Sequence, residues 1–163
     1  MSTNSRTDTT LYVSAALAAV LLAMGSVGWS VRSRHRPQTY ATGDRFDEVP
    51  NLDLTASPST LLIWVDSRCG ACTASMPFYQ RLAAHRYRMP IVVIGRQPAQ
   101  VLEDYLATFG VRPAQVISVG DLPLKFRGTP TVVLVGKDSI VRSVWYGRRQ
   151  TAMDEEDIIK RLE

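Results

Sequence analysis

The chain has 163 residues, 45% of them hydrophobic, with 19 Lys and Arg against 15 Asp and Glu for a formal charge of +4. That length suits one domain plus an appendage. The positive charge forms no basic stripe and no aromatic-basic alternation, which argues against nucleic acid as a partner.

Residues 1–10 are read as a short tail. Leu11 to Val31 contains no Asp, Glu, Lys or Arg. As a helix those residues extend about 31 Å, enough for a hydrocarbon core of roughly 30 Å. A transmembrane anchor is therefore predicted over 11–31, with Trp29 at its edge. A buried soluble helix is the first alternative, and the lack of a polar face and the terminal position count against it. A cleaved signal peptide is the second. Against it, Asp8 offsets Arg6, and neither an Ala-x-Ala site nor a lipobox cysteine follows. Arg32, Arg34 and Arg36 come next. The positive-inside rule places the residues after them in the cytoplasm, although arginines also sit among anionic headgroups.

Residues 32–47 read as a juxtamembrane linker and 48–163 as one folded domain. Val49 to Leu54 is expected as a short first strand. After a turn at Ser57-Pro58-Ser59, the apolar run Leu61 to Val65 suits a strand buried on both faces. Thr73 to Tyr87 carries Met76, Tyr79, Leu82, Ala83 and Tyr87 at helical spacing, with Pro77 inside. Pro90 to Gly95 is the next strand. Ala99 to Phe109 is the next helix, with Val101, Leu102, Tyr105, Leu106 and Phe109 toward the sheet and Gly110 as its stop. Gln115 to Val119 is a short strand. Thr131–Val135 and Ile140–Tyr146 form a hairpin around residues 136–139. A last helix opens at Thr151 or Met153 and runs to Leu162, with Asp154, Glu155 and Glu156 in its first turn. The order predicts a mixed sheet with helices on both faces.

The two cysteines stand in Cys69-Gly70-Ala71-Cys72, between a strand and a helix. A Cys-x-x-Cys at such a junction reads as a redox dithiol. Cys69 would lie near unpaired amides at the helix start, which favour a thiolate, so it is the candidate attacking thiol. Cys72, in the first turn, would resolve the mixed disulfide. Arg68 is a cation beside Cys69 and either lowers its pKa or extends into water. Asp66 sits at the strand end, either taking part or simply solvated. Pro130 precedes a strand, where its missing N–H is tolerated; by spacing alone a trans bond is the ordinary expectation.

The motif Cys69-Gly70-Ala71-Cys72 and the string Phe126-Arg127-Gly128-Thr129-Pro130-Thr131, followed by a hairpin and a helix, resemble the thioredoxin superfamily. The similarity spans roughly residues 43–163. The anchor, the linker and Gly43-Asp44-Arg45-Phe46 resemble the membrane-tethered TlpA/ResA type and the methylamine-utilisation MauD type. The resemblance implies a thioredoxin-like α/β fold with a mixed central sheet flanked by helices. It implies a cis Pro130, Cys69 as nucleophile, Cys72 as resolving thiol, and Thr129 with Pro130 as the edge where substrate docks. It further implies a thiol–disulfide oxidoreductase acting on protein disulfides or dithiols, with a membrane electron-transfer partner, cytochrome maturation among its settings, and no cofactor or metal. The family is usually extracytoplasmic, opposing the charge-based topology; a single-pass protein of a bacterial-type inner membrane with its catalytic domain outside is the reading adopted. Two departures stand out. Arg68 replaces the tryptophan common before the first cysteine, and Ile63 replaces the buried acid or amide that usually exchanges a proton with the second.

Other readings of the cysteines are weaker. Zinc needs four ligands, and only His35 and His85 remain to help. Copper would draw on Met76 or Met153, which fit a core more simply. A peroxidatic cysteine would need a Pro/Thr-bearing loop that is absent before Cys69. A non-enzymatic tethered module binding a peptide or a metal is the alternative of a different class.

Overall fold

The computed structural model describes residues 39–84, 89–148 and 152–162, the side chains of 152–154 excepted. The predicted anchor at 11–31 lies outside them, as do His35, His85 and Tyr87. Among the described residues no helix is long and apolar enough to cross a membrane.

Five strands form one sheet in the order β3-β2-β1-β4-β5. They are β1 Ser59–Trp64, β2 Ile91–Gly95, β3 Gln115–Ser118, β4 Thr131–Gly136 and β5 Val141–Tyr146. The three described helices are α1 Gly70–Ala84, α2 Ala99–Thr108 and α3 Ala152–Lys160. β1 pairs parallel with β2 and antiparallel with β4, so the sheet is mixed as expected. β1 is its central strand, and its run of apolar residues follows from burial on both faces.

Alternation within the strands divides the core. Leu61, Ile63, Ile91, Val93, Val132 and Leu134 face one side, and Leu62, Trp64, Val92, Ile94, Val133 and Val135 the other. The first side is covered by α1 through Met76, Phe78, Tyr79 and Leu82, by α2 through Leu102 and Leu106, and by α3 through Ile158. All three described helices thus pack on one face, not on both. The opposite face is closed by loops: Tyr40, Phe46, Val49, Leu124 and Phe126 lie there. Tyr40 stacks on Phe46 at 4.9 Å and Phe126 on Trp64 at 4.7 Å, and these rings fill the space a helix would take.

Three further expectations change. The segment from Val49 to Leu54 is a turn, not a strand. Pro50 has no N–H to give a ladder, Asn51 has φ of 64°, and Leu52 N–H closes on the Val49 carbonyl. Strand-like pairing occurs instead just ahead of this segment, where Arg45 makes an isolated bridge with Ile140. Residues 39–47, read as the end of a linker, belong to the compact unit, which begins at Thr39; Tyr40 and Phe46 in that stretch are buried. Val101 stays 42% exposed, because α2 turns only Leu102 and Leu106 fully inward.

Candidate active site

β1 and β2 are parallel neighbours, so their carboxyl ends open onto the same edge. Val65 extends the pairing through its amide to the Ile94 carbonyl at 3.0 Å, and the chain then leaves the sheet. Asp66 Oδ1 accepts from the Arg68 amide at 2.8 Å, and the Asp66 carbonyl accepts from the Cys69 amide at 3.0 Å. This turn feeds Cys69 into the start of α1 at Gly70.

Cys69 is part-exposed and Cys72 fully buried. The Cys72 amide, one of the donors a helix start leaves unpaired, points at Cys69 Sγ from 3.4 Å. The Cys69 thiol donates to the Thr129 carbonyl at 3.3 Å, across a sequence gap of 60 residues. The Thr129–Pro130 bond is cis. The four residues Cys69, Cys72, Thr129 and Pro130 are therefore brought together.

The two thiols are electrostatically unequal. Burial alone would raise the Cys69 pKa, but hydrogen bonds from the Thr129 side chain, Cys72 and Ala71 outweigh it and hold the thiol below its ordinary value. Burial pushes Cys72 up to about 12, with the Cys69 sulfur adding to the rise. At neutral pH a proton is thus lost more readily from the outer sulfur than from the inner one.

Arg68 is not brought onto the sulfur. Its guanidinium is 81% exposed and pairs with Asp66 at 3.2 Å. That contact holds the Asp66 carboxyl below its usual range. Asp66 touches the dithiol through its backbone, whose hydrogen bond favours the Cys72 thiolate without overcoming burial. Ile63 is 1% exposed in the same cluster as Cys72, so no carboxylate occupies that position. Among the described residues no group of three or more His, Cys, Asp or Glu is placed to hold a metal.

Two residues have roles at the site that the sequence reading did not give them, Gln97 and Tyr105. Gln97 Oε1 accepts from the Ser67 amide at 2.8 Å, and its Nε2 donates to Ser67 Oγ at 2.7 Å. Tyr105 on α2 shares a hydrogen bond of 3.0 Å with Thr73 Oγ1, which in turn reaches the Cys69 carbonyl at 3.4 Å. Gln97 and Tyr105 thus hold the motif from either side, and both come from the segment after β2. Parallel pairing of β1 with β2 is the signal that was available, because it makes their following segments neighbours.

No family model matches the sequence, and no curated protein is similar to it. Solved structures do resemble the fold. One is a Chlorobium tepidum protein provisionally assigned as the thiol:disulfide interchange protein DsbE. It superposes with a TM-score of 0.59 at 20% identity, covering 75% of this chain and 95% of that one. A peroxiredoxin-like protein from Aquifex aeolicus gives 0.57 at 13% identity, covering 77% and 89%. The thioredoxin domain of a Bacteroides vulgatus thiol-disulfide oxidoreductase gives 0.57 at 12%, covering 77% and 100%. At these identities the likeness establishes the fold, which is thioredoxin-like as the motifs implied.

Proposed function

We propose that this chain is a membrane-tethered thiol–disulfide oxidoreductase that reduces protein disulfides through Cys69 and Cys72. The observation that carries this is the unequal pair: an accessible thiol eased toward the thiolate, and a buried partner held protonated, at the start of one helix. The Cys69 thiolate attacks one sulfur of a target disulfide. The target's S–S bond breaks, a mixed disulfide forms, and the leaving thiolate takes up a proton. Cys72 then loses its proton and attacks Cys69 Sγ, releasing the second target sulfur. Two electrons pass from the dithiol to the target, and Cys69–Cys72 becomes a disulfide. Thr129 and Pro130 form the edge along which an extended target segment lies.

The reductive direction is supported by where the cation sits. Strong dithiol oxidants owe their potential to a stabilised reduced form. Here Arg68 pairs with Asp66 in water, so among the described residues the Cys69 thiolate has hydrogen bonds but no cation beside it. Tethering rests on the uncharged stretch at 11–31. The reading includes a bacterial-type inner membrane, a catalytic unit on the extracytoplasmic side, and a membrane partner that resupplies electrons. Cytochrome maturation is one setting that fits.

The test is the equilibrium redox potential of the full-length protein, titrated against glutathione, together with insulin reduction. A potential well below that of the glutathione pool, and activity lost in Cys69→Ser and Cys72→Ser, is expected. A potential near −120 mV would reverse the direction. A pair that never forms its disulfide would leave only the binding-module reading. Protease protection of the unit in sealed vesicles checks the side of the membrane.

A further inference from the structure

A cavity of about 250 Å³ opens at Thr129, whose carbonyl accepts from the Cys69 thiol, and is lined by Arg127, Gly128, Thr129, Pro130 and Tyr146 among others. Its polar character is one-sided. Arg127 is exposed and has no carboxylate partner among the described residues, and no Asp or Glu lines the cavity. The backbone adds to this. The amides of Leu122, Leu124 and Phe126 are bonded within the loop, whereas those of Arg127, Gly128 and Thr129 have no acceptor among the described residues. An arginine and three successive residues whose amides have no acceptor among the described residues therefore line one cavity. Gly128 leaves room there, since a Cβ on it would meet nothing within 4 Å. On the other side of Thr129 its carbonyl lies 3.3 Å from Cys69 Sγ.

We propose that this cavity takes a carboxylate flanking the disulfide of the target, held by Arg127 and the amides of residues 127–129, so that acidic disulfides are the preferred substrates. Successive amides suit an anion or an extended backbone, and arginine grips a carboxylate with a planar fork. The inference rests on the dithiol exchange proposed above and specifies its substrate class.

Three small disulfides separate the cases: 3,3′-dithiodipropionate (anionic), bis(2-hydroxyethyl) disulfide (neutral) and cystamine (cationic). The reduced full-length protein is mixed with each, and the oxidation rate is divided by the rate of dithiothreitol with the same disulfide. The anionic compound is expected to be favoured over the neutral one by about fivefold, as for an exposed ion pair, and less so at high salt. Arg127→Ala should abolish that preference while leaving the neutral rate within about twofold. Arg127→Glu should favour cystamine, and Arg142→Ala, a distant arginine, should change nothing. Equal loss on all three disulfides in Arg127→Ala, or an unchanged preference, would overturn the inference and leave the exchange chemistry standing. No reaction of the wild-type protein with any of them would remove both.

Discussion

Cys69 and Cys72 share a motif but differ in burial, and that difference dictates their pH behaviour. Cys69 is held below its ordinary value, so its alkylation should reach half its maximal rate at a lower pH than that of a free cysteine. Cys72, near 12, should stay unmodified while the protein is folded. Mass spectrometry after a short iodoacetamide pulse at neutral pH should find one adduct, on Cys69. Thr129→Ala removes the largest lowering contact, so the midpoint for Cys69 should move upward. A midpoint that stays put would mean the Thr129 hydroxyl does not reach the thiolate. At this scale the sequence was legible where chemistry is local: Cys69, Cys72 and the helix start follow from adjacency. It was silent on where Arg68 points, because an arginine side chain is long enough to reach either the sulfur or Asp66.

The segment after β2 contributes more to the site than its length suggests. Gln97 clamps Ser67, and Tyr105 ties α2 to the first turn of α1. Each of these hydrogen bonds is worth about 0.5–1.5 kcal/mol of stability. Its larger effect is on how firmly Cys69 is held. Gln97→Ala and Tyr105→Phe should each change the Cys69 alkylation profile and the redox potential while moving the unfolding midpoint little. A purely structural role would move the midpoint alone. The close approach of β2 to this loop has a steric side as well. A Cβ on Gly95 would stand 2.7 Å from the Val65 carbonyl and 3.0 Å from Leu102 Cδ1. Because the nearer atom is backbone, Gly95→Ala should cost about 1–3 kcal/mol, read in denaturant unfolding. Element order from β1 to α3 was legible because each apolar run keeps its period. The expected strand at 49–54 failed because Pro50 and Asn51 outweigh a loosely alternating pattern.

Across the whole unit, the helix-free face was the least legible feature. It is built from rings far apart in sequence, Tyr40, Phe46, Trp64 and Phe126, and no local period announces such a cluster. Its weight can be measured. A chain beginning at Glu48 lacks Tyr40 and Phe46, each fully buried. Losses of about 3–5 kcal/mol per large aromatic are comparable with a total stability of about 5–15 kcal/mol. Such a chain should not melt cooperatively by circular dichroism, whereas one beginning at Thr39 should. The same tyrosine also marks where the chain enters the unit. Its amide donates to the Lys125 carbonyl at 3.0 Å, and its carbonyl accepts from the Tyr146 hydroxyl at 2.6 Å. Lys125 leads into Arg127–Thr129, and Gly147, next to Tyr146, bonds to the Pro130 carbonyl at 2.8 Å. In mechanical terms, the entry point of the unit and the candidate docking edge share one beam. A pull on the chain ahead of residue 39 passes through Tyr40 to two places at once, the backbone that leads into Arg127–Thr129 and the end of β5 at Tyr146.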